Sequence, residues 1–326
     1  VVNCWGRDYL GQLGAKMDPE DLDANSGRSD PIRVLLPSGG NASEVSGGYG
    51  HTCAIMENGS VYCWGYNVYG QLGDGSTVNS QTPVAVNMPA GRTATSIELG
   101  FYHSCMITDN GSSYCWGTNS NGRLGDGSDE DSFTPSLVSL PSGRTASSIS
   151  AGEGHMCVIT DDGAIYCSGK NSYGQLGDGT TTEAHTPTAV TMPSGRTATS
   201  VSVGEDMTCA IMDDGSVYCW GYNFHGQLGD GTTTNRHTPT LVQGPGGWSA
   251  TDISASVHFA CALFYDATWP NDDNKIWCWG LNNLGQLGDG STQSRTSPVV
   301  ISDTLMSSVE TGNGHSCSLS EADEIY

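Results

Sequence analysis

Three observations predict an all-β array of repeated four-stranded units. One line of sequence returns six times, the stretches between its copies read as short strands joined by glycine turns, and cysteines recur in pairs at a fixed spacing.

The line is CWGYNVYGQLGDGST from Cys63, repeated from Cys115, Cys167, Cys219 and Cys278, with a degenerate opening CWGRDYLGQLG at Cys4. Three intervals are 52 residues and two are 59. Periods in this range mark supersecondary units that bury their apolar faces by stacking on one another. Each longer interval holds a seven-residue insertion. Gly14 to Pro31 takes seventeen steps where Gly73 to Pro83 takes ten, and Cys261 to Cys278 takes seventeen where Cys53 to Cys63 takes ten. Everything else keeps register, apart from a three-residue shortening between Pro298 and Cys317.

Each repeat carries one cysteine in a segment such as GHTCAI and one in VYCWG, and the intervening ENG, DNG or DDG is a three-residue loop ending in Gly. A hairpin folded about Asn58 sets Cys53 opposite Cys63, where directly opposed residues lie within disulfide reach. Alternation sends Cys53, Ile55, Val61 and Cys63 to one face, and Tyr62 and Trp64 to the other. Both faces are apolar, so the hairpin is expected to lie between neighbours. The same placement pairs Cys105 with Cys115, Cys157 with Cys167, Cys209 with Cys219, and Cys261 with Cys278. Twelve regularly placed cysteines read as a disulfide framework made in an oxidising compartment. No CxxC or His/Cys cluster offers a zinc alternative, and no metal ligand is assigned.

Cys4 and Cys317 remain. Joining them would let the N-terminal strand complete the C-terminal unit and hide its open edge. Val2 and Asn3 compete with Ile325 and Tyr326 for the same places, which leaves two other readings: a longer array, or strand exchange between molecules that builds a fibre. The chain opens inside a repeat, so a leader is expected to have been removed or trimmed.

Hydrophobic residues make up 36% of the chain, and no apolar run approaches the roughly 20 residues of a membrane span, so no membrane insertion is expected. Asp and Glu number 35 against 12 Lys and Arg, a net charge of -23. That argues against nucleic acid and anionic lipid as partners, which need a basic face, and favours cations or a basic protein.

His51, His103, His155 and His315 share the GHxC position, with His258 nearby in VHFAC and Met207 in the remaining copy. Recurrence in nearly every repeat fits a structural role, whereas a catalytic group needs a distinct partner. No GxSxG, HExxH or phosphate loop occurs, and no enzyme activity or cofactor is expected. Asp74, Asp126, Asp178, Asp230 and Asp289 recur in LGDG but lack the carboxylate spacing of an EF-hand. A turn role is therefore preferred, with calcium as the alternative ligand. Asn41, Asn58 and Asn110 satisfy the glycosylation acceptor pattern.

The pattern TPxxV...GRTAxSISAGxxHxCxxxxDGxxYCWGxNxxGQLGDGT resembles the repeat of the regulator of chromosome condensation family over essentially the whole chain. The resemblance implies one β-propeller over residues 1–326, built of six four-stranded blades of about 52 residues, or seven in a longer array, closed by the N-terminal strand. Trp5, Trp64, Trp116, Trp220 and Trp279 are then core residues, with Ser168 replacing one ring. Function does not follow from fold. The family's founding member acts in the nucleus on a small GTPase and chromatin, and this chain departs from it in charge and cysteine content. A secreted relative that works purely by binding another protein is nearer in habitat.

Recognition is expected where the repeat breaks. If the first insertion follows a fourth strand and the second enlarges a hairpin tip, both emerge on one face. They would present Asp18, Glu20, Asp21 and Asp23 beside Trp269, Asp272, Asp273 and Trp277, an aromatic and acidic site for a basic partner or bridging cation. The expected function is non-enzymatic binding or structural assembly outside the cell or at its surface. Extracellular protein, glycan or the chain itself would be the partner; inhibition of an enzyme by capping is the alternative, followed by a lyase or hydrolase with an axial site.

Overall fold

A computed structural model describes residues 1–15, 28–37, 40–266, 274–301 and 305–320. Strand β1 (Asn3–Gly6) pairs with β2 (Arg28–Arg33). The first complete repeat follows as β3 (Ala42–Gly47), β4 (His51–Met56), β5 (Val61–Gly65) and β6 (Ser80–Ala85), hydrogen-bonded in that order. The same antiparallel meander recurs as β7 (Ala94–Leu99) to β10 (Ser132–Leu137), β11 (Ala146–Ala151) to β14 (Ala184–Ala189), β15 (Ala198–Val203) to β18 (Arg236–Leu241), and β19 (Ser249–Ala255) to β22 (Arg295–Val300). Strands β23 (Met306–Thr311) and β24 (Ser316–Ser320) form a last, two-stranded sheet. Packing divides the chain into two compact units, residues 1–156 with 185–187, and residues 157–184 with 188–326; the division falls within the third complete sheet.

Position in the sheet follows from side-chain chemistry. The second strand is enclosed on both faces, all six residues of HSCMIT being buried, while no residue of the fourth strand SFTPSL is buried. That outer strand tolerates Pro83, Pro135, Pro187, Pro239 and Pro298 because an edge needs no donor on its free side. The CWG glycine breaks the register between third and fourth strands. Gly65 has φ 106, and a Cβ there would fall 2.5 Å from the Gly50 carbonyl oxygen. Only glycine fits this bulge.

Five of the expected bridges are present: Cys53–Cys63, Cys105–Cys115, Cys157–Cys167, Cys209–Cys219 and Cys261–Cys278. Each pair faces directly across its hairpin with Cα atoms 4.1 Å apart, the close approach of a non-hydrogen-bonded pair. The sixth is not formed: Cys4 and Cys317 are free thiols. Among the described residues Cys4 faces Ile32 across β1 and β2, and Cys317 faces Glu310 across β23 and β24.

Neighbouring sheets are locked by tryptophan. Trp64, Trp116, Trp220 and Trp279 are fully buried. Their indole N–H groups donate to the carbonyls of Gln12, Gln71, Gln175 and Gln227, each at 2.9 Å. Each indole thus grips the GQLG loop of the preceding repeat. Trp5 is the exception, 59% exposed, on a sheet that has two strands among the described residues. Ser168 stands where a sixth ring would be and is itself buried.

The strand order corrects the placement of the first insertion. It lies between β1 and β2, the third and fourth strands of a blade, and does not follow a fourth strand. The second insertion lies in the β20 (Phe259–Tyr265) to β21 (Asn274–Gly280) hairpin, between second and third strands. In a complete meander such as β3–β6 those two connections sit at opposite ends of the strands, so topology gives no support to a shared face.

Candidate functional site

Two sets of loops meet at one end of each meander: the turn from first to second strand and the connection from third to fourth. An asparagine fixes the latter. Asn67 Oδ1 accepts from Leu72 N at 2.9 Å while its Nδ2 donates to the carbonyls of Ser76 and Val78, both at 3.1 Å. Asn119, Asn171, Asn223 and Asn282 hold the corresponding leucine amides in the same way. The side chains between the fixed points are free to vary.

In the first unit those positions carry aromatic rings. Tyr66 and Tyr69 follow β5, Tyr49 precedes β4, Phe101 and Tyr102 precede β8 (His103–Thr108), and Tyr9 follows β1. Tyr49 stacks on Phe101 with ring centres 5.3 Å apart, and Tyr102 lies 5.6 Å from Tyr49, 6.0 Å from Tyr66 and 5.4 Å from Tyr69. Tyr9, Tyr49 and Tyr69 are exposed and the other three half-buried. Burial raises the Tyr102 phenol above its ordinary range, and the neighbouring phenols of Tyr49, Tyr66 and Tyr69 and the Glu153 carboxylate raise it further. The ring stays neutral. A contiguous aromatic surface of neutral phenols is cheap to desolvate against a partner.

The second unit carries a smaller counterpart. Tyr173 and Tyr222 are 4.7 Å apart, Phe224 stacks on Tyr222 at 6.4 Å, and His225 lies 5.2 Å from Phe224 and 5.1 Å from His258. Burial lowers the His225 imidazole, and the charge of His258 lowers it further. Lys170 Nζ reaches Asp206 Oδ1 at 2.9 Å and lies 5.9 Å above the Tyr173 ring.

The residues singled out from sequence are placed as follows. Asp18, Glu20, Asp21, Asp23, Trp269, Asp272 and Asp273 lie outside the described residues. Trp277 is not a rim residue: it sits in β21 opposite Ala262 and Val300, packs on the core and meets Trp248 edge-on at 6.2 Å. Asn41, Asn58 and Asn110 are exposed. Asn58 Oδ1 accepts from Ser60 N at 3.0 Å and Ser60 Oγ at 2.7 Å, closing the hairpin tip.

The GHxC histidines divide. His51, His103 and His155 are buried, while His315 is exposed. His51 Nε2 lies 2.9 Å from Ser104 Oγ, and burial lowers its imidazole to about 3. His103 is lowered well below the ordinary range by burial, then by the charges of Arg123, His51 and His155. Neutral, enclosed imidazoles suit packing. The repeated aspartates are turn residues: Asp74, Asp126, Asp230 and Asp289 each accept, at 2.9 Å, from the backbone amide two residues on. In the last two repeats Arg236 and Arg295 also bind the carboxylate, at 2.7 and 2.6 Å. Among the described residues no three His, Cys, Asp or Glu are grouped to hold a metal ion.

Sequence reasoning sought recognition where the repeat is interrupted and so missed the rings. Their signal was present in the variable positions of WGxNxxG and GxxH, which read Tyr66, Tyr69, Phe101 and Tyr102 in successive copies.

The RCC1-like domain model matches residues 1–262, and the regulator of chromosome condensation (RCC1) repeat model matches residues 273–319. The chain is 30% identical to the ultraviolet-B receptor UVR8 of Arabidopsis thaliana over 330 residues, covering all of this chain and 72% of that one. It is 31% identical to the human E3 ubiquitin-protein ligase HERC2 over 261 residues, 79% of this chain but 5% of the ligase. Among solved structures, Prp20p of Saccharomyces cerevisiae superposes with a TM-score of 0.83 at 20% identity over 99% of this chain and 79% of that chain. Human WBSCR16 gives 0.71 at 19% identity over 97% of both. At these identities the structures establish the fold.

Proposed function

The chain belongs to the RCC1 repeat family of β-propellers, and on that premise we propose that it is a non-enzymatic, extracellular or cell-surface propeller that binds a protein partner through its aromatic loop end. The observation that carries this reading is the cluster of Tyr9, Tyr49, Tyr66, Tyr69, Phe101 and Tyr102, because tyrosine is enriched among the few residues that carry most of the energy of a protein contact. Five hairpin bridges support an oxidising habitat. Enclosure of His51, His103 and His155 supports a role without catalysis by the repeated histidines. Relatives support protein binding: Prp20 is bound by Kap60, and Prp20p has binding properties toward Gsp1p and histones.

The test presents immobilised wild-type protein, and a Tyr49→Ala/Tyr69→Ala variant, to the extracellular fluid of the source cells. The reading expects one stoichiometric protein retained by wild type and lost with the variant at unchanged thermal stability. Retention equal on both surfaces, or only of glycan, overturns it. If the retained protein is an enzyme whose activity falls in proportion to occupancy, the propeller is an inhibitor that caps it. Light scattering that shows wild-type self-association abolished in the variant would make the partner a second copy.

A further inference from the structure

His225 and His258 come from different repeats and converge. His225 is in the connection after β17 (Val217–Gly221), and His258 is in the turn between β19 and β20. Neither is a repeat histidine: aligning VHFAC with FYHSC puts Phe259, not His258, at the buried GHxC position, and Phe259 is in the core. The two rings are half-buried, 5.1 Å apart between centres and inclined at 45°. His258 Nδ1 is shielded from solvent and has no hydrogen-bond partner.

Both rings stand on fixed backbone. His225 N donates to Gln227 Oε1 at 2.9 Å, Asn223 Oδ1 accepts from Leu228 N at 2.9 Å, and the His258 carbonyl accepts from Leu281 N at 2.9 Å. Tyr222 flanks the pair at 6.0 Å from His258 and 6.3 Å from His225, with Phe224 beyond. Such support holds side chains to the tolerance a ligand site needs.

A separation of 5.1 Å is one that two imidazoles sharing one ion can have. A zinc–nitrogen bond of about 2.1 Å puts each ring centre roughly 3.2 Å from the metal, and a tetrahedral angle then sets the centres roughly 5.2 Å apart. We propose that His225 and His258 form a two-imidazole site for a divalent transition ion of the zinc class, with the remaining positions open to water or to a donor on a partner. Imidazole selects zinc, copper or nickel over calcium and magnesium, which require oxygen ligands. No third His, Cys, Asp or Glu joins the pair among the described residues. The site is therefore an open one, distinct in kind from the acidic calcium site considered from sequence.

Untagged full-length protein is titrated with zinc chloride by calorimetry, in parallel with magnesium chloride, and Co²⁺ is used as a spectroscopic probe of coordination. The expected result is one zinc site per chain with no magnesium counterpart. His225→Ala and His258→Ala each weaken it by at least the roughly 10- to 100-fold that an outer-shell partner is worth, and His237→Ala leaves it unchanged. Melting curves in chelator should coincide for all four proteins, which separates ligand loss from misfolding. Zinc affinity unaltered in both variants, or zinc heats no different from those of magnesium, overturns the proposal.

Discussion

Tyr69 with Tyr102 in one unit, and His225 with His258 in the other, occupy the same two positions of the repeat. The first pair is 5.4 Å apart at 54°, the second 5.1 Å apart at 45°. Two different chemistries are held in nearly one geometry. The backbone beneath them explains this, since Trp116 donates to Gln71 O in the loop that carries Tyr69, and Trp279 donates to Gln227 O in the loop that carries His225. The scaffold fixes where a pair of side chains stands and leaves their identity open.

Removing the scaffold should break both places alike. Trp116→Ala and Trp279→Ala each delete a fully buried ring and its hydrogen bond. Each should cost about 3–5 kcal/mol in chemical denaturation and disorder the loop it grips. The contrast is Trp5→Ala, an exposed ring, expected within about 0.5 kcal/mol of wild type. Unequal costs for the two buried tryptophans would mean that the two places are not equivalent.

Exchange of the pairs sharpens the comparison. Tyr69→His/Tyr102→His should acquire zinc binding, and His225→Tyr/His258→Tyr should lose it. At zinc a hundredfold above the dissociation constant the gain appears as about 2.7 kcal/mol of added stability. A transplanted pair that binds no zinc would show that the flanking Tyr222 and Phe224 matter as much as the spacing.

One difference beneath the pairs is itself testable. His103 follows Tyr102 where Phe259 follows His258, and both are buried. The folded-state imidazole of His103 lies well below its ordinary value, chiefly through burial, while in the unfolded chain it titrates near 6.5. The unfolded state therefore binds the proton first. Stability is complete above about pH 6.5 and falls below it by up to about 1.4 kcal/mol per pH unit for this histidine. His103→Phe should remove this histidine's share of the slope and leave that of buried His51, and an unchanged acid slope would show that the His103 ring does not contribute.

The smallest expected effect concerns the loop clamp. Asp8 stands where later repeats have Asn67 or Asn223, and accepts from Leu13 N at 2.9 Å in the same manner. Its other oxygen is buried without a partner, and burial raises its carboxyl above the ordinary range. Asp8→Asn should stabilise the protein by about 1 kcal/mol at neutral pH, with the gain fading as acid protonates Asp8. Equal stability of the two proteins at neutral pH would remove the burial account of this residue.

Much of the scaffold is legible in the sequence because its causes are periodic. Cysteines ten residues apart across an Asx-Gly turn have a partner directly opposite, and a tryptophan that returns in five of six copies has an interior to fill. What was not legible depends on context outside the repeat. Trp5 has the motif but not the neighbouring strands, Trp277 looks like an insertion residue but belongs to a strand, and the first insertion was assigned to the wrong connection because the period does not say which strand begins a blade. The aromatic surface was hidden for another reason: each ring is an ordinary residue in its own repeat, and only the convergence of turns from neighbouring repeats makes five of them one surface, which Tyr9 joins by a hydrogen bond with Tyr49.

The claim that the loop end is the contact surface can be tested by placing a photoreactive amino acid at Tyr69, in that end, or at Asn58, at the opposite hairpin tip of the same sheet. Irradiation in the native extracellular fluid, followed by mass spectrometry, should give one discrete protein adduct from position 69 and none from position 58. An adduct from position 58 alone would place recognition at the other end of the strands and contradict the account.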